Sequence, residues 1–198
     1  MKGLVIKSTG SWYHVQLEDG TALDCRIKGK FRIKGIKTTN PIAVGDQVSV
    51  EIDEQSEART GLIYELAERK NYIIRKSINL SKQTQIIASN IDQALLVVTL
   101  SKPRTSFGFI DRFLVTAEAY RIPVTLIFHK WDIYTDEEKE KAIDLASIYK
   151  SIGYELLFTS IETGQGLKEL KELIETGTFL FSGHSGVGKS SLVGKISN

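Results

Sequence analysis

Cysteine is nearly absent from the 198 residues, and histidine and proline are scarce: one Cys, three His and three Pro. A single cysteine, Cys25, excludes an internal disulfide framework. Together with His14, His129 and His184 it is also too little to build a Cys/His zinc cage within these residues. No apolar run approaches the roughly 18–20 residues that cross a bilayer; ALLVV at 94–98 is among the longest. The N-terminus, MKGLVIKSTGSWYHV, is strand-like and interrupted by glycine, without the apolar core and small-residue cleavage site of a secretory signal. These absences read as a cytoplasmic chain with no membrane span. What is present, 41% hydrophobic and 25% charged residues with a formal net charge of +2, is a globular composition, long enough for one large domain or two small ones.

The hydrophobic period changes along the chain. As far as about Glu68 it alternates in short runs, GLVIKS, SWYHVQLE, TALDCRIK, DQVSVEID and GLIYELAE, with an Asp19-Gly20 turn between the second and third. Five short strands predict a small closed or partly closed barrel, an OB-fold with an SH3-like barrel as the alternative. Beyond residue 76, DQALLVVT and IPVTLIF are continuous apolar runs suited to parallel strands covered on both faces. They alternate with helical patterns in FIDRFLVTAEAYR, DEEKEKAIDLASIYKSIG and GLKELKELIETG, which predicts a doubly wound α/β domain. The expected organisation is a barrel over 1–72, a linker over 73–88 where SINLSKQTQ carries no pattern, and an α/β domain over 89–198.

One segment carries chemistry by itself. Gly183, His184, Ser185, Gly186, Val187, Gly188, Lys189 and Ser190 match G-x-x-x-x-G-K-[ST], behind the apolar run TFLFS and at the head of SSLVGKIS, which can open a helix and whose Ser191 is counted with the loop as nucleotide-binding. The glycines permit a tight turn whose N–H groups surround a phosphate, Lys189 supplies a point charge, and the Ser190 hydroxyl is a ligand for Mg²⁺. A nucleoside triphosphate is the implied ligand. Upstream, His129-Lys130-Trp131-Asp132 follows an apolar strand and resembles the N-K-x-D guanine motif of GTPases. There Asp132 would accept from guanine N1–H and its exocyclic amine, and the stem of Lys130 would cover the base. His129 stands where that motif has Asn and retains one donor, for guanine N7 for example; a helix-capping role for Asp132 is the alternative. After YELLF, the segment Thr159-Ser160-Ile161-Glu162-Thr163-Gly164 resembles the S-A-K element of GTPases, with Ile161 in place of Ala and a backbone N–H for guanine O6.

The base-reading segments precede the phosphate loop, the reverse of the usual order, so the α/β domain reads as circularly permuted. That order behind a five-stranded barrel, with RKNYIIRK at 69–76, IIASNIDQALLVVT at 86–99 and IDRFLVTAE at 110–118, resembles the ribosome small-subunit-dependent GTPase A family (RsgA/YjeQ). The resemblance implies an OB-fold followed by a permuted P-loop GTPase domain that uses GTP/GDP and Mg²⁺. It also implies stimulation by the 30S ribosomal subunit, contact with 16S rRNA, a role in late subunit maturation, and a zinc module whose ligands are not among these residues. Oligomerisation is not implied, and a monomer is expected. An RNA-facing surface has independent support. In RIKGKFRIK the cations Arg26, Lys28, Lys30, Arg32 and Lys34 recur with period two and share one face if extended; a solvated strand face is the alternative.

Lys189 and Ser190 are the expected catalytic contributors, stabilising charge on the transferred phosphoryl group. No D-x-x-G element, switch threonine or water-positioning residue follows Ser190, and TFLFS would form an apolar edge strand. The sequence therefore reads as part of a longer protein. Two other functions stay open at this level: an ATP-dependent P-loop enzyme, and an RNA-binding module that holds nucleotide without turnover.

Overall fold

A computed structural model describes residues 1–29, 41–53, 59–76 and 84–197. The chain divides into two compact units, Met1–Ile91 and Asp92–Asn198. In the first, β1 (Lys2–Ser8), β2 (Tyr13–Leu17), β3 (Ala22–Ile27), β4 (Gln47–Ile52) and β5 (Gly61–Leu66) close into a barrel of order β1-β2-β3-β5-β4. Alternation builds its core: Val5, Val15, Leu17, Leu23, Cys25, Val48, Val50 and Ile63 are buried together with Tyr13 and Ile42. Closure follows from β1 pairing antiparallel with both β2 and β4, while β3 runs parallel to β5. The Cys25 thiol is fully buried, and burial pushes its pKa up to about 11.

The expected linker is a different object. β6 (Tyr72–Lys76) and β7 (Thr84–Ser89) pair as antiparallel strands within the first unit, with Ile73 and Ile86 buried. What holds this pair to the barrel is a buried carboxylate. Asp46 Oδ1 and Oδ2 accept from Arg69 Nε and NH2 at 2.6 and 2.5 Å, Oδ1 also from Ser89 Oγ at 2.5 Å, and Oδ2 from Ala43 N at 2.8 Å. Arg69 NH2 further donates to Pro41 O. The side chains of Asp46 and Arg69 are 0% and 6% exposed. A buried charge so fully coordinated is destabilising to break, because either ion left alone would have neither water nor a counterion. Asp46→Ala is expected to lower the stability of the first unit by about 3–5 kcal/mol, measured by urea unfolding; a loss under about 1 kcal/mol would mean the pair does not organise it.

In the second unit, β8 (Gln93–Val98), β9 (Val124–His129), β10 (Glu155–Thr159) and β11 (Phe179–Ser182) form a parallel sheet of order β10-β9-β8-β11. Leu95, Val97 and Ile127 on one face pack with Leu170 of α3 (Leu167–Leu173) and with Leu192 and Ile196 of α4 (Lys189–Ile196). Ala94, Leu96, Val98, Leu126 and Phe128 alternate to the other face and are equally buried. α1 (Phe107–Ala119) and α2 (Asp136–Ser151) are joined by Tyr149 Oη donating to Asp111 Oδ1 at 2.8 Å. α2 begins with a capping box, Thr135 Oγ1 accepting from Glu138 N while Glu138 accepts from Thr135 N, with Asp136, Glu137 and Glu138 in its first turn. Among the described residues β11 is one of the two outer strands of this sheet, as expected for TFLFS, and its side chains are half-buried, Phe179 and Phe181 against the core. No described helix is long and apolar enough to cross a membrane.

Candidate functional site

Parallel strands end at one edge of their sheet, and three segments meet there. The first is the loop 183–190 between β11 and α4. Its turn requires left-handed backbone at Gly183, Gly186 and Gly188, with φ of 142°, 83° and 100°. Space is as restrictive as angle: a Cβ on Gly183 would lie 2.3 Å from Val97 O, and one on Gly188 2.8 and 2.9 Å from His129 Cδ2 and Nε2. Among the described residues, none of the backbone N–H groups from 184 to 190 has a protein acceptor. Lys189 folds back over this row, its Nζ donating to Gly183 O at 2.9 Å and His184 O at 2.7 Å. Consecutive unpaired donors with an ammonium beside them form a concave anion site at the start of a helix.

The second segment follows β9. His129 is 2% exposed, its Nδ1 lies 2.8 Å from Thr159 Oγ1, and its other edge abuts Gly188. The imidazole is held inside the fold at Nδ1, while Nε2, on the edge toward Gly188, makes no protein hydrogen bond among the described residues. Burial holds its pKa below the usual value, so it is neutral at neutral pH. Lys130, in left-handed backbone at φ 61°, sends Nζ to Lys102 O at 2.7 Å and Gly186 O at 2.9 Å, which stretches its stem from this segment to the phosphate-type loop. Asp132 lies in a single 3₁₀ turn, Trp131–Ile133, and is exposed; its Oδ1 accepts from Ser160 Oγ at 2.5 Å.

The third segment, after β10, is organised by Ser160, which is fully buried. Its hydroxyl donates to Asp132 and accepts from Thr163 N at 3.2 Å, while its N–H donates to Gln165 O. The next N–H, of Ile161, has no protein acceptor among the described residues. The structure therefore brings together His129, Lys130, Asp132, Ser160, Ile161 and the loop that precedes Ser191. The barrel cations belong to the first unit: Arg26 and Lys28 are exposed, Arg26 over the Trp12 ring at 4.0 Å and Lys28 paired with Glu51 at 2.5 Å. Lys30, Arg32 and Lys34 lie outside the described residues.

Several supporting residues carry no sequence signal of their own. Tyr134 Oη donates to His129 O at 3.0 Å and accepts from Leu100 N at 2.8 Å, and burial pushes its pKa up to about 12, so it keeps the proton it donates. Phe109 of α1 stacks on His184 with centroids 4.0 Å apart. The Pro103 ring lies 3.6 Å from where a Gly186 Cβ would be. Only their distance in sequence from the motifs, and no motif, distinguishes these residues. Tyr134→Phe leaves one buried donor and one acceptor unpaired and is expected to cost about 1–3 kcal/mol by denaturant unfolding, against under about 0.5 kcal/mol for Phe at the exposed Tyr64.

Among the described residues no group of three or more His, Cys, Asp or Glu is gathered to hold a metal ion. Comparison with known proteins agrees with this geometry. The sequence model of the RsgA N-terminal domain matches residues 2–60, and that of the RsgA GTPase matches residues 66–198. A protein of Christiangramia forsetii named small ribosomal subunit biogenesis GTPase RsgA is 56% identical over 196 residues, which are 99% of this chain and 62% of the relative. One of Flavobacterium johnsoniae with the same name is 58% identical over 193 residues, 98% and 59% respectively. The chain thus spans about three fifths of the length of these relatives. The crystal structure of YjeQ from Thermotoga maritima superposes with a TM-score of 0.77 at 35% identity, covering 98% of this chain and 64% of that one. That of YloQ, described as a circularly permuted GTPase, gives 0.69 at 32%, covering 97% and 62%. A barrel, a permuted nucleotide-type loop and a family match over two thirds of the sequence agree: the chain belongs to the RsgA GTPase family.

Proposed function

We propose that the protein is a GTP hydrolase stimulated by the small ribosomal subunit, acting in the cytoplasm late in that subunit's maturation and contacting rRNA through its barrel. The observation that carries the nucleotide part is the pairing of a carboxylate clamped from behind, Asp132 on Ser160, with a row of unpaired N–H groups at 184–190, the two joined by His129 and Lys130. One carboxylate oxygen of Asp132 is oriented by the Ser160 hydroxyl, and enough lone pairs remain to accept from guanine N1–H and its 2-amino group. The Ile161 N–H is available for O6. Adenine offers neither complement, so this geometry discriminates by hydrogen bonding and not by shape.

At the other end, the 184–190 amides and Lys189 surround phosphate oxygens and hold them in fixed positions. Donors already fixed at the place where negative charge grows require no reorganisation during phosphoryl transfer. Ser190 lies in the first turn of α4, is exposed, and its hydroxyl makes no protein hydrogen bond among the described residues, which fits a Mg²⁺ ligand. Mg²⁺ takes few protein oxygens and completes its shell with phosphate and water, where it neutralises phosphate charge. The described residues offer no comparable set for zinc. For RNA, the support is the exposed Arg26 with its indole partner: a cation and an aromatic plane together suit a phosphate backbone and its bases. The names of the relatives support the ribosomal partner.

Labelled GDP is expected to bind more than about a hundredfold tighter than ADP, and Asp132→Ala to abolish most of that preference; equal affinity for ADP in the wild type would refute the guanine assignment. Phosphate release by the full-length protein should rise when small subunits are added. An unchanged rate with nucleotide bound would instead favour a holding module without turnover. Arg26→Ala should reduce the slope of log affinity for rRNA against log salt by about one, and an unaltered slope would remove this residue from the RNA surface.

A further inference from the structure

Beside the loop at 183–190 runs a second loop, residues 100–105, that the guanine and phosphate motifs do not include. It is braced from within: Thr99 Oγ1 donates to Pro103 O, Thr105 Oγ1 accepts from Thr99 N at 3.1 Å, and Thr105 N donates to Thr99 O at 2.8 Å. It is also fixed from outside, by Tyr134 Oη on Leu100 N, and by Lys130 Nζ, which bonds Lys102 O and Gly186 O at once. Pro103 fills the space next to Gly186. Lys102 is held in left-handed backbone at φ 51°, a conformation that a lysine adopts at a cost and that persists only where the surroundings impose it.

The loop presents two cations on either side of that proline. Lys102 and Arg104 are both exposed, and neither has a carboxylate at ion-pair distance among the described residues. The Arg104 guanidinium lies 6.0 Å from the centroid of the Phe107 ring. Two unneutralised cations on a rigid loop, touching the anion-binding loop at Gly186, add positive potential where phosphate charge accumulates.

We propose that residues 100–105 form a second, cationic wall of the phosphate site, with Lys102 and Arg104 binding phosphate oxygens of the bound nucleotide. The assignment rests on the nucleotide reading above and deepens it. Phosphate oxygens could also reach this loop from an RNA backbone, and the experiment separates the two sources. Lys102→Gln, Arg104→Gln and the double variant of the full-length protein are titrated with fluorescent GTP and GDP, with guanosine and with rRNA, at several salt concentrations. The double variant should bind both nucleotides about tenfold more weakly, with a shallower salt dependence, and guanosine as the wild type does. Equal weakening for guanosine would show that the loop supports the base side, and would overturn the proposal. Unchanged nucleotide affinity with a reduced salt slope for rRNA would assign the cations to RNA and overturn it equally. A wild type that binds no guanine nucleotide would refute the underlying function, an outcome distinct from wild-type binding that the variants leave intact.

Discussion

The register that sets His129 opposite Thr159 in neighbouring parallel strands is the constraint on which the nucleotide end depends. It places the imidazole where Nδ1 meets a hydroxyl on one side and the ring edge meets a glycine on the other. A shift by one residue would send the His129 side chain to the other face of the sheet. The contact between the His129 ring edge and Gly188 would then be lost, although the positive φ at Gly188 would still favour glycine. The segment after β9 and the loop at 183–190 are therefore joined by packing through a neutral ring as well as by the Lys130 ammonium.

The two units use buried polarity in opposite ways. In the first, a full ion pair, Asp46 with Arg69, is placed in the interior and given Ser89 and Ala43 as additional donors, so that strands far apart in sequence share one anchor. Such a pair adds less net stability than it adds specificity of register, because desolvation offsets much of the attraction. In the second, no buried ion pair supports the site among the described residues; Thr159, Ser160, His129 and Tyr134 connect through neutral or singly charged hydrogen bonds.

Much of this was legible in the sequence because it depends on local pattern. The five barrel strands follow alternation, and the parallel strands follow apolar runs bounded by helical periods. The phosphate loop is a contiguous motif whose glycines answer to backbone angle. The β6–β7 pair was not legible, since its segment is dominated by SINLSKQTQ and its attachment depends on Asp46, Arg69 and Ser89, which no local period connects. At the site, residue types were readable but direction was not. A histidine at the end of a strand looks the same in sequence whether its ring faces a ligand or a glycine, and only the neighbouring strand and loop decide. The loop at 100–105 was silent for the same reason: SKPRT has an ordinary turn composition, and its adjacency to Gly186 arises from tertiary contact alone.

The burial of Cys25 has a practical side. With its thiol enclosed by the barrel core and kept protonated well above neutral pH, the chain's one native cysteine is chemically quiet while the barrel is folded. A cysteine introduced at an exposed position would then be the sole thiol to react with a maleimide, and a dye could be attached without first removing the native residue. Slow labelling of Cys25 itself would, by the same logic, report each opening of the barrel, so one reagent could follow both the added probe and the integrity of the fold that carries it.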